Sequence, residues 1–136
     1  MKYYELKQRI QNEVNNFPMF FAFSDDQFKE GLEKFGATPS ELFRHPSSGF
    51  YRKTDAPKLH AMINRHNQEL EAAMQDDDFM IDAIRYELAN HEYCITFDRT
   101  DTVEALGLDM ADERTLRCFK AAGKLYADEM EAAGIL

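Results

Sequence analysis

Apolar residues recur at spacings of three and four through residues 2–16, with Tyr3, Leu6, Ile10 and Val14 on one side. This period predicts an amphipathic helix that Pro18 ends. The run Met19-Phe20-Phe21-Ala22-Phe23 is a continuous apolar connection, expected to lie along the core. Ser24-Asp25-Asp26-Gln27 reads as a capping box opening a second helix, with Phe28, Leu32 and Phe35 on its apolar face and Gly36 as its stop. Thr38-Pro39-Ser40-Glu41 repeats that logic for a short third helix. His45-Pro46-Ser47-Ser48-Gly49 is turn chemistry, and Gly49-Phe50-Tyr51-Arg52-Lys53 then alternates as a short strand does.

From Thr54 or Asp55 a helical period runs through Leu59, Ile63, His66, Leu70 and Met74 and resumes through Met80, Ile84, Leu88 and His91. Uninterrupted, it would be unusually long for a chain of 136 residues, so a break is expected at Asp76-Asp77-Asp78, one of which caps the second segment. Tyr93-Cys94-Ile95-Thr96-Phe97-Asp98 is rich in β-branched and aromatic residues and predicts a strand. Asp101-Thr102-Val103-Glu104 reads as a capping box opening a short helix closed by Gly107, and Asp109 caps a last one carrying Leu116, Phe119, Tyr126 and Met130 on one face and ended by Gly134. The pattern as a whole predicts a single mainly α domain over residues 1–136, of about six helices. Its minor β component is one two-stranded antiparallel ribbon, residues 49–53 against residues 93–98. No internal repeat, low-complexity tract or linker interrupts it.

Composition narrows the class. A hydrophobic fraction of 44%, with eleven Phe, six Tyr and seven Met, is ample for a core and too aromatic for a disordered chain. No apolar run approaches the roughly 18 residues that span a bilayer, so no membrane insertion is expected. The start Met-Lys-Tyr-Tyr-Glu lacks an apolar run beside a basic one. Cys94 and Cys118 are therefore expected to be reduced thiols in a bacterial cytoplasm.

Charge is the most uneven feature. Residues 44–66 hold Arg44, Arg52, Lys53, Lys58 and Arg65 against Asp55, whereas residues 67–113 hold fourteen acids against Arg85 and Arg99, in a chain of net charge −9. The acidic excess makes nucleic acid an unlikely partner. Around the Ser47-Ser48-Gly49 turn, Arg44, His45, Ser48, Arg52 and Lys53 form a candidate anion site, where amides, hydroxyls and flanking cations could hold a phosphate or carboxylate. The ordinary alternative is a solvated or internally paired charge cluster. Asp76, Asp77, Asp78 and Asp82 form a candidate acidic face for a basic protein. They lack the glycine and terminal glutamate of a calcium loop, and helix capping accounts for them equally.

Glu87 and His91, four residues apart, share a helix face, as a general base and its carboxylate would. No nucleophile or oxyanion device accompanies them, and an ion pair at a helix end is the simpler reading. His91, Cys94 and Cys118 fall short of a four-ligand zinc set. No metal, cofactor or catalytic signature follows, and the chain is expected not to be an enzyme. The aromatic run Phe17 to Phe23 is expected in the core or in self-association rather than as a displayed patch.

Three blocks carry a resemblance: FAFSDDQFKEG at residues 21–31, GFYRKTD at residues 49–55 and YELANHEYCITFDRTDTVEALGL at residues 86–108. In them the chain resembles a family of small proteins of unknown function from phages, prophages and other mobile elements of gut and related bacteria. The resemblance implies an accessory role of phage type and supplies no catalytic residues. The expected function is a non-enzymatic accessory protein that binds a host or defence component with a basic surface through its acidic face, in host takeover or counter-defence. The alternative is a protein that binds a small anionic ligand, a nucleotide or phosphate, through residues 44–66.

Overall fold

The computed structural model describes residues 2–135. Among them it contains seven α-helices and a small antiparallel sheet: α1 Tyr3–Asn16, β1 Phe20–Phe21, α2 Asp25–Phe35, β2 Leu42–Arg44, β3 Gly49–Arg52, α3 Ala56–Ala73, α4 Asp77–Asn90, α5 Tyr93–Thr96, α6 Thr100–Leu106 and α7 Glu113–Ala132. The mainly α class with a minor β component is what the periodicity predicts. No helix among the described residues is long and apolar enough to cross a membrane. The residues group into two compact units, one comprising Ile10–Gln68 and the other the chain up to Arg9 together with everything from Glu69 onward.

In the Ile10–Gln68 unit, β3 is the central strand, with β1 on one side and β2 on the other. Phe20 stands opposite Phe50 and Phe21 opposite Gly49, while Leu42, Phe43 and Arg44 stand opposite Arg52, Tyr51 and Phe50. Opposed residues share a sheet face, so Phe20, Phe50, Arg44 and Arg52 lie on one side and Phe21, Phe43 and Tyr51 on the other. The first side receives α2. Phe20 stacks on Phe50 with centroids 5.4 Å apart, Phe28 lies 4.7 Å from Phe50, and Phe35 lies 5.2 Å from Phe20. Gly31 allows this packing, because a Cβ there would overlap the Phe20 ring. Ser24 caps α2 as its sequence suggests, with Gln27 N donating to Ser24 Oγ (3.2 Å), but the Gln27 side chain reaches one residue beyond the reciprocal bond of a capping box and accepts from Phe23 N (2.8 Å). Gly36 ends the helix at φ 72°.

In the other unit α4 is the central element, packed against α5, α6 and α7. It buries Phe79, Met80, Ala83, Ile84, Glu87 and Leu88, so its apolar character extends beyond a single stripe. The break at the aspartates occurs where the sequence places it, with Asp76 accepting from Asp78 N (2.9 Å) as the N-cap of α4.

Several expectations are corrected. Residues 93–98 form no strand: Tyr93–Thr96 is one helical turn, bounded by Glu92 at φ 53° and Phe97 at φ 54°. Both edges of β3 are instead taken by β1 and β2, which lie close to it in sequence and therefore close shorter loops. The ribbon is thus a three-stranded sheet, and the short helix after Thr38 is one 3₁₀ turn, Pro39–Glu41, leading into β2. The cap of α7 is Asp112, which accepts from Thr115 N (2.9 Å), whereas Asp109 closes a turn onto Ala111 N (3.0 Å). The buried face of α7 is Thr115, Cys118, Ala122 and Tyr126, rotated from the predicted one, and Leu116 is exposed. Small residues win this face because α4 packs closely on it. Ala83 of α4 and Ala122 of α7 are both fully buried.

Candidate functional site

The turn between β2 and β3 uses its own polar groups. His45 N donates to Gly49 O (2.7 Å), Ser48 N donates to His45 O (3.0 Å), and Ser47 N donates to His45 Nδ1 (3.2 Å), which also lies 2.7 Å from Ser47 Oγ. Amides so occupied leave no anion nest at the turn. Ser48 closes it in the left-handed region, at φ 67°. Arg52 is also occupied: it donates to Phe35 O at the end of α2 (2.6 Å) and lies over the Phe35 ring at 4.0 Å. Lys53, beyond the strand end, sits 5.3 Å over Phe43 on the other sheet face. Of the five residues of the candidate anion site, Arg44 and Ser48 converge. They line a cleft of about 370 Å³ with Ala22, Phe23, Ser24, Asp25, Phe28 and Phe50.

Arg65 and His66 of the basic segment find a partner in α1. Arg65 makes a bidentate pair with Glu13 (3.1 and 2.8 Å), and His66 Nε2 lies 2.7 Å from the same carboxylate. Hydrogen bonds from Arg65 and then His66 hold the Glu13 carboxyl down at about 2.

The aspartates of the candidate acidic face are largely engaged. Asp76 caps α4. Asp77 receives Arg114 Nε (2.5 Å) and Arg117 (3.3 Å) from α7, which hold its carboxyl below the usual range. Asp82 receives Arg85 (2.9 Å) and the Tyr3 amide (3.1 Å). Asp78 is exposed on the first turn of α4.

Among the described residues Glu87 is the one buried carboxylate, 1% exposed. Tyr3 Oη (2.5 Å) and Lys7 Nζ (2.6 Å) donate to its Oε1, and Asn90 Nδ2 to its Oε2 (3.3 Å). His91 Nε2 lies 3.0 Å from Oε2 but off the hydrogen-bond direction, so this nitrogen is buried without a hydrogen bond among the described residues. Burial drives the Glu87 carboxyl up. The bonds from Lys7 and Tyr3, with the Lys7 charge and Asn90, outweigh it and leave the carboxyl below its ordinary value. Burial, and then the bond to Glu87, pushes the Tyr3 phenol far above its ordinary 10. The cluster is a satisfied internal carboxylate. Its contacts run outward through Lys7 and His91, whose side chains are partly exposed, while Tyr3 is 6% exposed. Sequence reasoning paired Glu87 with His91 and missed Tyr3 and Lys7, which lie 84 and 80 positions away and whose only local signal is their own i, i+4 spacing.

A second feature was hidden by the strand expectation. Ile95 and Phe97 are 70% and 74% exposed at the tip formed by α5. Glu92, Asp98, Asp101 and Glu104, all exposed, flank them. The tip is anchored from below: Cys94 N donates to Tyr126 Oη (2.8 Å), and the Tyr93 ring meets Tyr126 edge-on at 6.1 Å. Cys118 is buried, and burial raises its thiol. Among the described residues no group of three or more His, Cys, Asp or Glu is placed to hold a metal ion.

No curated protein and no solved structure matches the chain. A family model does match, over residues 2–124, a span that includes the cleft, the buried carboxylate and the exposed tip, and the chain belongs to that family, the Family of unknown function (DUF7659).

Proposed function

We propose that this protein is a non-enzymatic accessory protein of a phage or mobile element. It acts by binding a host or defence component whose contact surface is basic and carries an apolar anchor. The observation that carries the reading is the tip at Ile95 and Phe97: two large apolar side chains, 70% and 74% exposed, within residues 92–104, whose exposed charged side chains are Glu92, Asp98, Asp101 and Glu104 against Arg99. An apolar centre beside exposed charges that are mostly acidic, four carboxylates against Arg99, is the anatomy of a protein contact, in which the surrounding charge selects partners and speeds encounter. The backbone adds support. Phe97 holds a left-handed conformation that a bulky residue adopts only at a cost of about 1–2 kcal/mol, and such strain gathers at clamps and contact loops. On this reading the contact is made by residues 92–104, where the apolar side chains are exposed, rather than by Asp76, Asp77 and Asp82, which cap α4 or bind arginines without such an anchor beside them. A bacterial cytoplasm is the compartment that suits this role.

Phe97→Asn tests the reading, because asparagine tolerates the left-handed turn while removing the apolar side chain. The variant should melt close to the wild type. In parallel pull-downs from a host lysate, the wild type should retain one protein that rebinds when purified, that dissociates as salt rises, and that the variant retains at least tenfold more weakly. Identical recovery by both proteins, or loss of recovery together with loss of folding in an Ile95→Ser control, would sink the assignment.

A further inference from the structure

We infer that the cleft beside β1 and α2 is a binding site for a small planar ring carrying one anionic group. It lies in the Ile10–Gln68 unit and stands independently of the acidic tip. The inference starts from an incomplete packing motif. In the chain order of α2, Ser24 is the N-cap, Phe23 precedes it and Phe28 is the fourth helical residue. At these two positions apolar side chains ordinarily close on each other as a hydrophobic staple. The Ser24 cap itself is in place, and the Gln27 side chain ties down the Phe23 amide. The staple is not: Phe23 remains 76% exposed, and both phenylalanines line a cleft of about 370 Å³. Phe28 is backed by Phe50, at 4.7 Å between centroids, which gives the cleft an aromatic floor. A flat ring entering between Phe23 and Phe28 would make the contacts that the two side chains do not make with each other.

The polar lining sets the rest of the ligand. Arg44 stands on the same sheet face as Phe50, directly opposite it, and makes no hydrogen bond, ion pair or ring contact among the described residues. Its neighbour on that face, Arg52, is held by the Phe35 carbonyl and ring, so Arg44 is the guanidinium left to meet an anion. Ser48 is placed at the rim by its left-handed backbone. Asp25 also lines the cleft and opposes a second negative charge, which favours one anionic group and a ring with a hydrogen-bond donor. The volume lies at the small end of ligand clefts, roughly 300–1,000 Å³. An aminated base carrying one phosphate and an aromatic amino acid both satisfy this description, and they differ in whether phosphate or carboxylate meets Arg44.

Titration of the ¹⁵N-labelled protein with adenosine monophosphate, phenylalanine, adenosine and inorganic phosphate, each in the low millimolar range, separates these cases. The inference expects saturable shifts of the amides of Phe23, Ser24 and Ser48 with one of the two complete ligands. Adenosine or phosphate alone should bind at least tenfold more weakly. Arg44→Gln should weaken the complete ligand about tenfold while leaving adenosine unchanged, and Phe23→Ser should weaken adenosine as well. Both side chains are exposed, so neither variant should alter the fold. Absence of saturable shifts with all four compounds overturns the inference. So does binding by phosphate alone equal to that of the complete ligand, or binding indifferent to both substitutions.

Discussion

The two units of this chain treat charge and burial in opposite ways. Ile10–Gln68 holds seven acids and seven bases and is formally neutral, so the remaining eighteen acids and nine bases carry the whole of the net −9. Yet the acidic unit has the deeper interior. Ala83, Ile84, Leu88 and Ala122 are fully buried there, and so is a carboxylate, Glu87. The neutral unit has a shallow core built on rings that remain partly open, and α2 contributes no fully buried residue. Net charge is therefore no guide to where a polar group is hidden. In the acidic unit Lys7, Arg85, Arg114 and Arg117 tie carboxylates across helices. In the neutral unit the Arg44 guanidinium has no partner among the described residues and lines the cleft with Phe23 and Phe28. Each unit consequently offers a different surface: an acid-rimmed apolar tip in one and an aromatic cleft with a cation in the other.

The largest effect that would test this contrast is at Glu87. Glu87→Ala strands the Tyr3 hydroxyl in the interior and opens a cavity. Breaking a buried pair from one side costs roughly 3–5 kcal/mol, and because Lys7 is 39% exposed and can recover water, about 3 kcal/mol is expected. Urea unfolding measures it, and a change below about 0.5 kcal/mol would show that the network contributes nothing net. Lys7→Met, which leaves the carboxylate to Tyr3 and Asn90, should cost less. The same groups fix the pH dependence. Glu87, Asp77, Asp98 and Asp112 in the acidic unit, with Glu13 and Glu41 in the neutral one, have folded values below their unfolded ones. As pH falls below about 4.5 the unfolded chain takes up protons first, so stability present above that value is lost on the way down as each folded value is passed, that of Glu13 at about 2. Tyr3 has the opposite sign: its folded value is raised, so stability is lost as pH climbs past 10.

Next in size is Gly31→Ala in the neutral unit. The added methyl would overlap the Phe20 ring, and Phe20 cannot withdraw without breaking its stack on Phe50 and its contact with Phe35. Overpacking of this kind costs about 1–3 kcal/mol, which exceeds the helix-propensity gain of about 1 kcal/mol, so a net loss of about 1 kcal/mol is expected by thermal melting. A gain in stability would mean that the aromatic cluster is looser than its ring distances state.

The ends of α2 and the start of α4 were legible, because a cap is a local signal, whereas α6 starts after Arg99 without the expected Asp101 cap and α7 is capped by Asp112 rather than Asp109. Ser24 with Gln27, Gly36, and the break at Asp76 are all written within four residues. The sheet was half legible: Gly49 to Arg52 reads as a strand, but its partners depend on which segments reach it first. The β-rich composition of residues 93–98 could not reveal that Glu92 and Phe97 turn the chain in the left-handed region. The charge contrast was visible as composition, yet its pairings were not. Arg65 meets Glu13 and Asp77 meets Arg114 across 52 and 37 positions. Of the candidate anion site, Arg44 and Ser48 were identified without the rings that give them a cleft. The staple positions Phe23 and Phe28 were readable from the capping box and would have supplied them.

The smallest effect sharpens the comparison because it carries the opposite sign to Gly31→Ala. Gly123 also lies inside a helix, α7 of the acidic unit, without a positive φ, but a Cβ built there meets no atom within 4 Å. With no clash to offset it, Gly123→Ala should reduce the freedom of the unfolded chain, favour the helix and raise stability by about 0.5–1 kcal/mol. Two glycine-to-alanine changes of identical chemistry would then differ by about 2 kcal/mol, and the difference measures the packing of one phenylalanine ring. If both substitutions stabilise, the neutral unit has room that its contacts deny. If both destabilise, α7 carries a constraint at Gly123 that its open surroundings do not explain, and the distinction drawn between the two units fails at its most local test.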